Sequence, residues 1–320
     1  MRKILYSTHH KQVVKTVSRR RARAFLALSI LVVLWFAVVA TASATANATA
    51  SATVSTLARV GDAKLAVSSA VPKSSSATAK ANAIAPNGKP GMWWARENGW
   101  GISLTASVDH TKLFAAFYIY DQQGNARWYT ASDCRFVGNQ CTSRVEETSG
   151  STCAMPFSPG QVTRKDVGSL TLDFSSSAFA SMSFEIGGVR RSVGIERFVF
   201  ASGAAAATDY SGVWWNSNES GNGVSITHLA DTVFIAWYVF DTVGKPVWSV
   251  MSCIMNGGNS CSGTLVSANG PTLGPTFDIS RVQLKEIGPA TLTFNSSGGA
   301  RLAYQASGQT ITKDFVRFVF

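Results

Sequence analysis

Two glutamates stand at matching places in two stretches of this chain. Glu97 follows Trp93-Trp94, and Glu219 follows Trp214-Trp215. A second pair of acids, Asp121 and Asp241, opens the tetrapeptides DQQG and DTVG. Two carboxylates flanking a groove are the equipment of a glycosidase. An Asp heading a D-x-x-G sequence usually serves a turn instead, where its side chain accepts from backbone N–H groups. Only Glu97 and Glu219 are then left for that chemistry. Histidine adds no alternative. His110 and His228, the two histidines after residue 90, do not match between the stretches, so a Ser/His/Asp or Cys/His arrangement belonging to the repeat is unsupported. Gly221-Asn222-Gly223 has no helical pattern after it and does not read as a phosphate cradle. The sequence therefore assigns no catalytic residue and no cofactor.

Aromatic residues give the stronger signal. Trp93, Trp94, Trp214, Trp215, Tyr238 and Trp248 all belong to recurring positions. Neighbours on a strand face opposite ways, so one Trp of each pair is expected in the core and the other outside. The outer ring either covers a sheet edge or forms a stacking platform for a sugar or other flat ligand. In the second case Glu97, Glu219 and Asn216 are its polar partners. Arg197 and Arg317 precede the last apolar residues of each stretch, and their expected role is to pair with Glu97 and Glu219.

The cysteines also recur. Cys134/Cys141 and Cys253/Cys261 have six and seven intervening residues, which suits a bridge across a hairpin. That spacing is too wide for a zinc knuckle and no His pair accompanies it, so no metal is expected. Cys153 is left over, facing Leu273 in the other copy, and reads either as a small buried hydrophobe or as an intermolecular bridge.

These residues must be held by a tandem repeat. From Phe114 onward the second copy lies 120 residues further on: Phe114/Phe234, Tyr118/Tyr238, Trp128/Trp248, Gly168/Gly288 and the endings RFVF at Arg197 and Arg317. Each copy is about the size of a domain. Turn residues arrive every eight to twelve positions and helical periodicity is nearly absent, so the fold class is all-β. In the second copy strands are expected near 212–216, 223–230, 232–240, 246–254, 261–267, 283–294, 300–306 and 310–320. Seven or eight sequential antiparallel strands make a meander, which curls into a small barrel or a sandwich to remove its edges. The domain reading is a signal peptide or membrane anchor over 1–44, a disordered Ala/Ser/Thr-rich linker over 45–90, a module over 91–200, a connector over 201–210 and a second module over 211–320.

The opening G-x-W-W-N with G-x-G-x-S-I after it resembles the first strands of avidin-like and lipocalin-like barrels. That resemblance implies a closed eight-stranded up-and-down barrel with a ligand at its mouth, and carries over no binding residue. The whole copy more closely resembles a recurrent module of exported bacterial proteins, with W-W-N at its start, A-W-Y-x-Y/F-D-x-x-G-x-P-x-W at its centre and R-x-x-F at its end. No activity follows from it. The first copy departs from that pattern, with Ala95 in place of Asn216 and Ala126 in place of Pro246.

The formal charge of +11 is unevenly placed. Residues 1–24 carry eight of the 29 basic residues and no acid, leaving 21 bases against 18 acids, or +3, on the rest. The basic balance thus belongs mainly to the leader, and nucleic acid is not an expected partner. Phe25–Ala40 is an uncharged apolar run of sixteen residues followed by A-x-A spacings. It reads as a secretory signal, or as an uncleaved inner-membrane anchor that would be the chain's only membrane contact. Location is periplasmic or secreted. Three functions are open: a non-enzymatic exported module binding a small ligand, a glycan or an envelope protein; a purely structural envelope protein; and a hydrolase using Glu97 and Glu219.

Overall fold

The computed structural model describes residues 90–320 apart from 98, 152–155, 275, 297 and 307. The leader, the linker and Cys153 lie outside the described residues.

The chain forms two closed eight-stranded barrels in tandem. The first runs β1 (Gly91–Ala95), β2 (Gly101–Ala106), β3 (Lys112–Tyr120), β4 (Ala126–Val137), β5 (Gln140–Ser149), β6 (Thr163–Phe174), β7 (Phe179–Ile186) and β8 (Val189–Arg197). The second runs β9 (Gly212–Trp215), β10 (Gly223–Leu229), β11 (Thr232–Phe240), β12 (Pro246–Ile254), β13 (Ser260–Asn269), β14 (Gln283–Phe294), β15 (Gly299–Ala306) and β16 (Gln309–Arg317). Within each barrel every strand pairs with its sequence neighbour, and the barrel closes first strand on last: Trp93 lies opposite Arg197, and Trp214 opposite Arg317. Closure leaves no open edge for another chain to pair with. It decides for a barrel over a sandwich.

Chain chemistry sets the details. Asp121 and Asp241 each accept from two backbone N–H groups inside the hairpin tip, at Gln123 and Asn125 and at Val243 and Lys245. They are turn formers, as D-x-x-G leads one to expect. Gly168 and Gly288 face a register shift in β5 and β13. A Cβ at Gly168 would sit 1.7 Å from the Glu185 carbonyl oxygen, and one at Gly288 2.5 Å from that of Gln305. Only glycine lets the next strand approach so closely, so both copies have it.

Both barrels are filled by side chains. Trp93, Ile102, Leu113, Phe117, Leu172 and Met182 are among those packing the first, and Trp214, Ile226, Ile235, Leu265, Leu292 and Leu302 the second. β3 and β11 differ from ordinary barrel strands because they are buried on both faces. On β11, Val233, Ile235, Trp237 and Val239 face their own barrel, while Phe234, Ala236, Tyr238 and Phe240 join the apolar cluster of the first barrel. The last expected strand ends three residues early, at Arg317. Phe318 and Phe320 leave the barrel and pack on Phe114 of the other copy, at 5.3 and 6.3 Å between ring centroids.

Both expected disulfides are formed, Cys134–Cys141 and Cys253–Cys261, with Cα separations of 5.2 and 5.5 Å. Each ties the two strands of one hairpin together. Closing so short a loop stabilises by about 2.5 kcal/mol on the chain-entropy estimate. Peptide mapping without reductant should recover both pairs; free thiols at these four positions in oxidised protein would contradict the structure.

Candidate functional site

The tryptophan pairs split as strand geometry requires. Trp93 is fully buried inside the first barrel and meets Phe174 edge-on at 5.5 Å; Trp214 is buried inside the second and meets Phe294 at 5.7 Å. Trp94 and Trp215 face out and are half-buried, against Phe198 and Phe318 respectively. The outer rings are thus partly covered by the RFVF endings of their own copies.

Tyr238 and Trp248 go elsewhere. They face away from the barrel lumen and, with their counterparts Tyr118 and Trp128, form the contact between barrels. The contact has an approximate two-fold axis. Trp128 Nε1 donates to the Val239 carbonyl at 2.9 Å, and Trp248 Nε1 donates to the matching Ile119 carbonyl at 3.0 Å. Near the axis the Ser103 and Ser225 hydroxyls are 2.7 Å apart, and Tyr118 Oη donates to Ser225 Oγ at 2.7 Å. The flanks repeat the relation. Gly150 N–H donates to the Gly244 carbonyl and Gly270 N–H to that of Gly124, both at 3.0 Å. A Cβ at Gly150 would lie 2.7 Å from the Phe240 ring, and one at Gly270 2.7 Å from Tyr120. The recurring aromatics therefore recur because each copy contributes the same face to one interface.

Burial in that interface raises the Tyr118 phenol from 10.0 to about 12, against hydrogen bonding with Ser103 and Ser225 that lowers it. Tyr238 is pushed up as well, by burial first and then by Tyr118. The sign follows from proton counting. The unfolded phenol loses its proton near pH 10, while the folded one keeps it until about 12. Stability is full below pH 10 and falls as the pH rises toward 12, by about 2–3 kcal/mol for Tyr118 alone. Denaturation at stepped alkaline pH should show the fall, and Tyr118→Phe should reduce it by the share of that phenol, leaving the part due to Tyr238. A flat profile in the parent chain would count against the buried phenol.

Glu97 and Glu219 sit at corresponding ends of separate barrels, each held by a cation. Glu97 pairs with Arg191, whose side chain is buried, and accepts from Trp100 Nε1 at 2.9 Å. Arg191 also donates to the Gly274 carbonyl at 2.6 Å and lies 5.5 Å from the Trp100 ring centre. Glu219 takes both carboxylate oxygens to Lys313 Nζ, at 2.9 and 2.8 Å, and accepts from Asn222, whose amide oxygen accepts from Trp237 Nε1 at 3.0 Å. Such hydrogen bonds to charged groups contribute about 1.5–3 kcal/mol each and fix the loop between the first two strands. Arg197 and Arg317 do not make the pairing expected of them. Arg197 donates to the Pro90 carbonyl; Arg317 donates to those of Ser211 and Asp209 and lies 4.7 Å over the Trp214 ring. Their strand position puts them at the opposite end of the barrel from the glutamates. Asn216 serves its own loop, its side-chain oxygen accepting from Asn218 N–H at 3.0 Å.

Arg191, Lys313, Trp100, Asn222 and Trp237 were not singled out in the sequence, although two of them leave a trace there. Val189, Arg191, Val193 and Ile195 alternate on one strand face, as do Ile311, Lys313 and Phe315 on another. A lone cation on an apolar period-two face calls for a buried acid. The partners occupy unmatched positions in the two copies, so comparison of the repeats hides them.

Among the described residues, clefts lie outside the filled lumens at two places. One, of about 230 Å³, is lined by Tyr120, Tyr129, Phe184 and the Gln122-Gln123 tip of barrel one, with Thr272 and Leu273 of the other copy. The segment after β13 covers this mouth: Thr272 Oγ1 donates to the Asp121 carbonyl at 2.8 Å, and Phe277 stacks on Tyr120 at 6.2 Å. The other cleft, of about 580 Å³, lies between the connector and the β10–β11 and β12–β13 turns of barrel two, with Tyr210 and His228 in its wall. Among the described residues no three His, Cys, Asp or Glu side chains cluster closely enough to hold a metal ion. No family model and no curated protein matches the chain.

Proposed function

We propose that this chain is an exported, non-enzymatic binding protein of the cell envelope, in which two barrels form one rigid scaffold and ligands engage its end clefts rather than the barrel lumens. The observation that carries the reading is the contrast between filled barrel interiors and the open cleft beside the connector. A packed lumen leaves no room for the ligand that a barrel mouth of the lipocalin kind would take. A cleft of several hundred cubic ångströms is in the range of small-molecule sites. A hydrolase draws no support from the acids, because Glu97 and Glu219 each hold a cation in a different barrel. The platform idea retains only Trp94 and Trp215, whose rings are half-buried.

Export is supported by the two disulfides, which fit an oxidising compartment. Among the described residues no helix is long and apolar enough to cross a membrane. The Phe25–Ala40 run supplies either a cleaved signal or an anchor. Fusing residues 1–90 to alkaline phosphatase should give activity outside the cytoplasm; an inactive fusion would remove the export claim. Binding itself is tested by a glycan array and a small-metabolite thermal-shift panel on the full chain. Saturable binding supports the reading. Silence across both panels favours the second one, a structural spacer, to which the filled barrels and the stiff interface are equally suited.

A further inference from the structure

His228 is the one described residue with an ionisable ring that is 8% exposed and has neither ring nitrogen hydrogen-bonded. Leaving a buried polar group unpaired costs about 1–3 kcal/mol, so the position asks what the imidazole is for. It does not belong to the repeat. Gly101 and Gly223 match, which places Ala106 at the corresponding position of the first barrel. The first copy thus builds the same strand with a methyl group.

The surroundings are those of a small chamber. His228 points inward at the end of barrel two, where the connector crosses. Tyr210 of the connector lies over it, nearly parallel, at 5.6 Å, and stacks face to face on Phe294 at 3.7 Å. Trp214 Nε1 donates to the Tyr210 carbonyl at 3.0 Å and fixes the connector's end. Beyond Tyr210 and His228 the cleft is walled by Ser202, Thr208, Asp231 and small or flexible apolar residues such as Ala206 and Met255. Among the described residues no lysine or arginine lines it.

We infer that the connector cleft is a binding site for a neutral, hydroxyl-rich ring, a sugar residue, with His228 as its polar floor and Tyr210 as its stacking wall; this deepens the binding reading above and rests on it. A neutral imidazole offers one N–H donor and one lone pair. A hydroxyl group is both acceptor and donor and can satisfy either. Ser202 and Thr208 add hydroxyls at the wall, and Asp231 adds an acceptor. The ring face of Tyr210 suits the apolar face of a sugar. An anionic ligand would meet the Asp231 carboxylate with no cation to balance it. Both His228 nitrogens are closed off in the structure, so a sugar hydroxyl reaches them only by displacing Tyr210 from its stack on Phe294.

The test follows the imidazole ring signals of His228 by NMR in the full chain, both disulfides formed, during titration with glucose, galactose, N-acetylglucosamine and their disaccharides, with glucuronic acid as the charged comparator. A neutral sugar should shift the His228 signals saturably. Ala204→Trp, at an exposed connector residue on the cleft wall, should weaken that sugar at least tenfold without unfolding the chain. His228→Ala, which installs the residue of the first barrel, should weaken it likewise. A sugar that binds while His228 stays still overturns the cleft assignment and leaves the binding reading intact. Tighter binding of glucuronic acid overturns the neutral class. No titration of His228 by any neutral sugar, with hits of other chemistry on the wider panels, overturns the inference alone; silence on every panel overturns both.

Discussion

Trp214→Ala should destabilise the second barrel by about 3–5 kcal/mol, the usual cost of truncating a large aromatic in a packed core. Trp215→Ala should cost about 1 kcal/mol or less, as outward substitutions of limited burial do. The two residues are neighbours on β9, so the comparison isolates the face. Trp214 loses its packing on Phe294, its hydrogen bond to the Tyr210 carbonyl and the guanidinium of Arg317 over its ring. The Arg317 head would keep its two backbone carbonyl partners, which limits the extra penalty on that side. Trp215 loses an edge contact with Phe318 at 5.7 Å and has no place in the barrel core. Trp93→Ala and Trp94→Ala should reproduce the contrast in the first barrel, where Trp93 has no exposed surface. Urea denaturation followed by far-ultraviolet dichroism reads all four. Equal, small losses at Trp214 and Trp215 would mean that neither ring is core, and the closed-barrel register of β9 would be wrong.

Much of this was legible because strands announce themselves by alternation and turn chemistry. The D-x-x-G tips, the glycine at the bulge and the cysteine hairpins each have a local physical cause, and each stands where the sequence puts it. The choice of a barrel over a sandwich was legible only through the resemblance of the opening strands, not from the strand pattern. Closing β1 on β8 depends on the pairing of residues about a hundred positions apart, and no local pattern records it. The interface was half legible. FAAFYIY and FIAWYVF are continuous apolar runs, and a strand that is apolar on both faces is buried on both. Read as a strand of one barrel, its second face has no owner, and the recurrence of Tyr238 and Trp248 fits a ligand site as well as it fits an interface. The owner is the other copy. The partners of Glu97 and Glu219 are not Arg197 and Arg317 for a related reason: their cations come from strands far along the chain and at unmatched positions, Arg191 in one copy and Lys313 in the other.

The two-fold relation between the copies makes a sharper prediction. Residues 211–320 contain a complete closed barrel, so this fragment should fold, but it should form a homodimer. Cut from the first copy, it exposes Phe234, Tyr238, Phe240 and Trp248, a contiguous apolar face that a soluble monomer seldom leaves open. An isologous interface needs only that each contact have its image on the same surface. Here each has. Trp248 donates to the Ile119 carbonyl, and the fragment offers Val239 in that place, which already accepts from Trp128. The Ser103–Ser225 contact becomes Ser225 on Ser225. Gly244 receives Gly150 now and would receive Gly270, since Gly270 N–H already serves the matching Gly124. Light scattering at tens of micromolar should give twice the fragment mass, and Trp248→Glu should halve it, because a buried carboxylate in place of the indole has no partner and costs several kcal/mol at each of two sites. A folded fragment that stays monomeric would mean that the contact depends on the differences between the copies, such as Tyr120 against Phe240, and not on the face they share.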